Sequence, residues 1–544
     1  MGCKRIFGAT LSMGIAAERT YHGNDLGAVY SAESTTFRVW APSAELVILR
    51  RYSTGSDTED GASVLEELDM EKDIERNSEW NGVWKVTVSG DIADTYYTYL
   101  VNVDGKINET NDIYAKAAGV NGQRGMVVNL ASTNPEGWDQ DRHVLVDKQT
   151  DAMVWEVHVR DFSSSPDSGM ENKGKYLAFT EKNTTVNGEG GLSTGVSYLK
   201  ELGVNYVQLL PVFDYVNDET DESNLSYDWG YSPLNYQVPE GLYATDPYDG
   251  NVRIREFKQM VQSLHEEQIG VVMDVVFNHV GGDAYTSWFE YTVPGYYFRQ
   301  DKKGKIADSG TDFGNETASE REMFRKYMID TVVYWASEYH IDGFRFDLMG
   351  CHDVETMNRI REALDKLPGG EKILMYGEPW SAGSTNQVEG ILMVNQENMK
   401  SLVPGIGAFN QPLGMHMNLE NRWVRLAEQI PWDVFESKYA ELFPNDTGNV
   451  AKPLRTALGS LIIQKKLCFS DRELVEQITE NPYLQYFIGL PGYQEEPPFD
   501  ASTLVLFRKR LSPEIIMEAN DYILNQDDDK KDPPLILILY IHKQ

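Results

Sequence analysis

Between residues 152 and 379 short apolar strands alternate with amphipathic helices, and this alternation restricts the fold more than any other feature of the chain. Strands are expected at 152–159, 204–211, 270–277, 341–347 and 373–379, with helices at 193–202, 252–268, 319–340 and 359–367. Parallel neighbours need a crossover, so such repeats give a parallel sheet covered by helices. The pattern fits an open sheet and the first part of a (β/α)8 barrel equally, and 402–409 offers a sixth strand. The helix at 319 sets Phe324, Met328, Val332 and Trp335 on one face, and Ser319 with Glu322 makes a capping-box pattern at its start.

Residues 20–131 read differently. TTFRVWAP, AELVILR, VWKVTVSG and YYTYLVNVDG alternate apolar and polar positions between turn residues, the signature of a small β-sandwich. STNPEGWDQD (132–141) reads as a linker. A second change comes at 406–418, IGAFNQPLGMHMN, after which strands are scarce. Short helices are expected at 424–430, 434–443, 453–467, 471–480 and 512–524, with a solvated, charged linker and a tail at 526–544.

Composition narrows the function classes. The formal charge of -35 argues against non-specific nucleic-acid binding and fits a neutral substrate. Three separated cysteines, Cys3, Cys351 and Cys468, make no disulfide or zinc framework and suit a reducing compartment. The weakly apolar start is a poor signal sequence, so a bacterial cytoplasmic location is expected. No apolar run, LILILYI near the end included, reaches the roughly 18 residues of a membrane span.

In parallel α/β folds chemistry collects at the carboxyl ends of strands. Here three consecutive strands deliver Asp274 with Asn278 and His279, then Arg345 and Asp347, then Glu378. Arg345 and Asp347 lie two residues apart on one face, so the arginine would hold the carboxylate ionised, as a nucleophile requires. Glu378, followed by Pro379 and Trp380, reads as a general acid among apolar rings. Two such carboxyls about 5 Å apart suit a retaining glycosidase. His279 would bond a sugar hydroxyl, and Asp274 reads as the buried end of the network. YDWGYSPLNY (227–236) supplies Trp229 and Tyr231 as a platform for sugar rings. Each element alone has a structural reading: an ion pair, a histidine satisfied by nearby backbone, aromatic loop packing. Together, at successive strand ends, they read as a site. The acidic loop DYVNDETDESN (214–224) offers oxygen ligands for calcium, but a solvated loop accounts for it, and neither metal nor organic cofactor is expected.

These residues carry a resemblance. DVVFNH (274–279), GFRFD (343–347) and GEPW (377–380) resemble three of the four signature regions of the α-amylase superfamily, glycoside hydrolase family 13. YDWGYSP (227–233) is similar to the YNWGYDP motif of type I pullulanases, with Asp228 and Ser232 as departures. The resemblance covers about 20–410 and implies a glucan-binding β-sandwich at 20–131 and a (β/α)8 barrel beginning at 145. It implies hydrolysis of α-1,6 linkages in pullulan, glycogen or starch dextrins, with Asp347 as nucleophile, Glu378 as acid/base and Arg345 orienting Asp347. His279, Tyr231, Asn278, Trp229 and Trp380 would line the substrate site.

The family's fourth region, a His-Asp pair on a later strand, has no counterpart, because no His-Asp dipeptide follows Glu378. Residues 411–525 instead resemble the helical N-terminal region of bacterial insertion-sequence transposases. The expectation is a β-sandwich, an incomplete barrel ending near Asn410, and an unrelated helical segment, as if a debranching-enzyme gene had been interrupted in frame. The nuclease domain of such transposases would lie beyond the sequence. Impaired turnover is expected. The alternatives are a glucan-binding remnant without catalysis and a DNA-binding transposase fragment.

Overall fold

The computed structural model describes residues 19–74, 80–220, 228–301, 303–307, 310–379, 381, 418, 421–430, 432, 453–467, 469–490 and 492–511. The chain forms two compact units, residues 1–393 and 394–544. The expected seam near Asn410, the sixth strand, the helices at 434–443 and 512–524, and the tail fall outside the described residues.

The first unit opens with a two-sheet sandwich. One sheet runs β1 (Gly27–Tyr30), β2 (Ser34–Trp40), β6 (Val83–Ser89), β5 (Glu71–Lys72). The other runs β4 (Val64–Asp69), β3 (Leu46–Tyr52), β7 (Tyr96–Val103), β8 (Lys106–Thr110), with β9 (Gly125–Met126) added to β7. Alternate residues turn inward as the period of two requires. Phe37 and Val39 meet Val47, Leu49, Tyr97 and Tyr99 in one core.

The five expected parallel strands all form: β10 (Val154–Val157), β11 (Tyr206–Leu209), β14 (Gly270–Val275), β15 (Gly343–Phe346) and β16 (Leu374–Gly377), side by side in that order. A hairpin, β12 (Phe213–Tyr215) with β13 (Pro233–Pro239), follows β11. Helices α1 (Gly195–Leu202), α2 (Gly250–Glu266), α3 (Trp288–Thr292), α4 (Glu322–Glu338) and α5 (Val354–Leu364) are interspersed. One sheet face, with Leu209, Val271, Met273, Phe344 and Phe346, shares the large core with Phe257 of α2 and Phe324, Met328, Val332 and Trp335 of α4. The other face carries a small buried cluster, Tyr206, Val272 and Leu374.

Across that inner face the Tyr376 hydroxyl donates to Gln208 Oε1 at 2.7 Å, and Gln208 Nε2 donates to Glu156 Oε2 at 2.7 Å. Tyr376 is on β16 and Gln208 on β11, with β14 and β15 between them. On a flat sheet those strands stand about 14 Å apart. The direct bond therefore requires a curled sheet, a barrel wall rather than an open layer.

The expected linker is pinned beneath this wall. Both ring nitrogens of His265, at the end of α2, face carboxylates: Asp141 at 2.9 Å and Asp342 at 2.8 Å. Burial opposes the charge, yet Asp342 and Asp141 push the imidazole up to about 10. Trp138 stacks on His340, whose Nδ1 also meets Asp141.

Three expectations change. Ser319 does not cap α4: the helix starts after Arg321 without a side-chain cap, and Ser319 Oγ accepts instead from Asp353 N and Arg299. α5 begins earlier than expected because Asp353 caps it, its carboxylate accepting from Thr356 N. The acidic loop at 214 is not simply solvated. Asp214 and Glu219 are buried on Arg253 of α2, and Glu219 accepts from Asn121 N, which joins the sandwich to the wall.

The second unit is helical: α6 (Arg422–Gln429), α7 (Leu454–Leu467), α8 (Asp471–Glu480), α9 (Pro482–Phe487) and α10 (Thr503–Arg510). Ser470 and Glu473 close a full capping box on α8, and Asn481 with Pro482 starts α9, which the sequence reading missed. Trp423, Leu458, Ile462, Leu474, Phe487 and Phe507 share one core.

Candidate active site

The site is organised by one guanidinium. Asp274, near the end of β14, is fully buried. Both its oxygens accept from Arg345 Nη1 at 2.8 Å, and the Tyr231 hydroxyl donates to it at 2.8 Å. Burial pushes this carboxyl up to about 7 against the pull of Arg345 and Tyr231. Arg345 Nη1 also reaches Asp347 Oδ1 at 3.0 Å, and its Nη2 reaches Glu378 Oε1 at 2.5 Å. Three consecutive strand ends thus converge on Arg345. A single cation among three carboxylates draws the outer two, Asp347 and Glu378, to one side of the curled sheet.

Two backbone features complete the arrangement. Leu348, the residue after Asp347, has φ 39 and ψ 49, a left-handed conformation that costs a non-glycine residue about 1 kcal/mol. This turn aims Leu348 N at Glu378 Oε2, 3.2 Å away, and Gly350 N donates to the Glu378 carbonyl at 3.1 Å. The loop leaving Asp347 therefore carries both the side chain and the backbone of Glu378. Nothing in the local sequence signals it.

The other expected residues have partners within the protein. Asn278, expected at the substrate site, donates from Nδ2 to Asp347 Oδ2 at 2.8 Å and to the Asp347 carbonyl at 3.0 Å, so it positions Asp347. His279 is expected to bond a sugar hydroxyl. It is buried, with Nδ1 2.6 Å from Asn278 Oδ1 and Nε2 2.8 Å from the Tyr231 carbonyl. Burial pushes the imidazole down to about 4, and it stacks on Phe313 with centroids 4.4 Å apart. The ring is satisfied within the protein because the loop of Tyr231 folds over it. Glu378 is ion-paired rather than set among apolar rings, and Trp380 lies outside the described residues. Trp229 is 57% exposed and, with Tyr231, His158, Trp155 and Tyr198, lines a cleft of about 490 Å3.

Among the described residues one group has the spacing to hold a cation: Asp214, Glu219 and Glu240. Arg253 already stands among these carboxylates, 2.8 Å from Glu219 and 3.3 Å from Asp214, and takes the place a metal would fill.

Comparison with known proteins places this geometry. Residues 25–115 match the carbohydrate-binding module 48 (isoamylase N-terminal domain) model, and residues 176–305 match the α-amylase catalytic domain. Pullulanase from Bacillus subtilis (strain 168) is 40% identical over 405 residues, which is 74% of this chain and 52% of that protein.

The first unit is a pullulanase-like member of the α-amylase superfamily.

A chloroplastic pullulanase 1 of Arabidopsis thaliana is 32% identical, over 73% of this chain and 44% of that protein. A crystal structure of pullulanase from Paenibacillus barengoltzii in complex with maltohexaose and α-cyclodextrin aligns with TM-score 0.65 and 40% identity, covering 82% of this chain and 64% of that one. The chain thus spans about half the length of the curated relatives it matches. Residues 413–510 match a transposase domain, DUF772, unrelated to the pullulanase-like unit.

Proposed function

We propose that the pullulanase-like unit carries the acid pair of an α-glucan debranching hydrolase acting on α-1,6 linkages of pullulan, glycogen or starch dextrins, and that turnover by this chain is weak or absent. The observation that carries this reading is the convergence of Asp274, Asp347 and Glu378 on Arg345. Asp347 attacks the anomeric carbon and forms a glycosyl-enzyme. Glu378 protonates the departing glycosidic oxygen, then takes a proton from the water that releases the sugar. Arg345 and Asn278 orient Asp347, while Trp229 and Tyr231 offer ring faces to the glucan. The missing His-Asp pair removes a carboxylate that would stabilise the transition state, a loss of several kcal/mol of barrier by analogy with other electrostatic stabilisers.

The test is release of reducing maltotriose from pullulan by the full chain beside Asp347→Asn. No Asp347-dependent release is expected beyond a trace. Release at the rate of a complete pullulanase would refute the impairment, and release indifferent to Asp347→Asn would refute the nucleophile.

A second reading, glucan binding without catalysis, is favoured by the sandwich, whose two sheets close on their own core. Retardation of the chain in an amylopectin gel, unchanged in Asp347→Asn, would support it.

A further inference from the structure

We infer, on the reading of Asp347 and Glu378 as the acid pair of a glucan hydrolase, that Phe313 is a further substrate-binding residue, presenting an aromatic face to a glucosyl ring with His279 as its backing. A single exposed phenylalanine is ordinary on a protein surface. Phe313 differs in what holds it. The ring is 55% exposed, yet it lies parallel to the buried His279 ring, with centroids 4.4 Å apart and planes within 4°. One face is therefore covered, and the exposure belongs to the other face and the rim.

The loop around it is built to keep it there. Thr311, Asn315, Glu316 and Thr317 are buried, while Asp312, Phe313 and Gly314 form an exposed tip. Thr311 Oγ1 donates to the Asn315 carbonyl at 2.6 Å and closes the tip. Asn315 grips the backbone of Val280: its Oδ1 accepts from Val280 N at 2.9 Å, and its Nδ2 donates to the Val280 carbonyl at 3.0 Å. Thr317 N donates to the Asn278 carbonyl at 3.0 Å. The loop is thus tied to the residues on both sides of His279. Asp312 has φ 61, a left-handed conformation that a non-glycine residue keeps only where its surroundings enforce it. This strained turn sets Phe313 on the imidazole and leaves its outer face in solvent instead of in a core.

The position fits a sugar ring next to the reacting one. Beneath Phe313, His279 meets Asn278 Oδ1 at 2.6 Å, and Asn278 Nδ2 holds Asp347 Oδ2 at 2.8 Å, so a continuous set of contacts runs from the exposed ring to the nucleophile. Both nitrogens of His279 already face oxygens inside the protein, Asn278 Oδ1 and the Tyr231 carbonyl, so its contribution is to fix a flat ring rather than to bond a hydroxyl. A fixed apolar face matches the C–H face of a neutral glucosyl ring, and its rigidity lowers the entropy lost on binding.

The experiment titrates the full chain with maltotriose in a calorimeter, comparing the parent with Phe313→Leu and Phe313→Trp. Leucine keeps apolar bulk without a flat face, and tryptophan keeps the face. Phe313→Leu should weaken binding about fivefold or more while Phe313→Trp stays within about twofold of the parent. Both variants should melt as the parent does, because the side chain is exposed. Maltotriose should also slow amide exchange across 311–317 in the parent and not in Phe313→Leu. Equal binding by Phe313→Leu overturns the inference. So does an equal loss in both variants, or a parent that does not bind maltotriose. Release from pullulan is scored on the same samples: Asp347-dependent release with binding indifferent to Phe313 counts against the platform alone, and Phe313-dependent binding with release indifferent to Asp347→Asn counts against the nucleophile alone.

Discussion

The two units differ in charge and in how their backbones are satisfied. Residues 413–510 hold 11 of the chain's 49 lysines and arginines and 13 of its 84 acidic residues, so they are nearly neutral while the rest carries almost all of the -35. The overall acidity that argues against nucleic acid therefore belongs to the pullulanase-like unit and says little about the helical one. Architecture separates them as well. A helix satisfies its own backbone, and the helices of the second unit need only a shared apolar core, which Trp423, Leu458, Ile462, Leu474 and Phe487 provide. A barrel strand is satisfied only by neighbours on both sides, and among the described residues β10 and β16, at the margins of the wall, each have one.

If the units are independent, substitutions should divide cleanly between two unfolding transitions. Arg345→Ala should have the largest effect. It leaves Asp274 buried without its cation and should lower the first unit's stability by about 3–5 kcal/mol, with the second transition unmoved. Leu458→Ala opens a cavity in the helical core and should cost about 2–5 kcal/mol in the second transition alone. Denaturation followed by calorimetry and tryptophan fluorescence reads both, and a single merged transition would break the comparison.

The pH dependence sharpens it. His265 is raised in the folded first unit to about 10 from an ordinary 6.5. Its stabilisation is fully present below pH 6.5 and is lost as pH rises through about 10. His265→Gln should flatten the alkaline fall of the first transition without changing that of the second, as melting scans across this range would record. The smallest effect is expected from Ser470→Ala, which removes one half of the α8 capping box and should cost about 1 kcal/mol in the second transition only.

The features legible in the sequence were those written in local pattern. All five strands were readable from apolar runs, and the buried stripe of Phe324, Met328, Val332 and Trp335 from helical spacing. The acidic strand ends were readable because Asp274 and Arg345 lie within apolar strands, and Asp347 and Glu378 directly follow them. What was hidden depends on partners distant in the chain. Asp214 and Glu219 looked like a solvated loop because Arg253, which buries them, lies on a later helix. His279 looked free because its partners, the Tyr231 carbonyl and Phe313, come from other loops. The left-handed turn at Leu348 has no residue signature, since glycine or asparagine would normally mark it.

Amide hydrogen exchange on the full chain tests the central claim most directly. The account predicts slow exchange along β14, which has a strand on each side, and along α7 in the helical core. It predicts much faster exchange in β10 and β16 at the margins of the same sheet. Protection of β10 and β16 equal to that of β14 would mean that other strands cover the margins, and would contradict the account of a five-stranded wall with open margins and a self-sufficient helical unit.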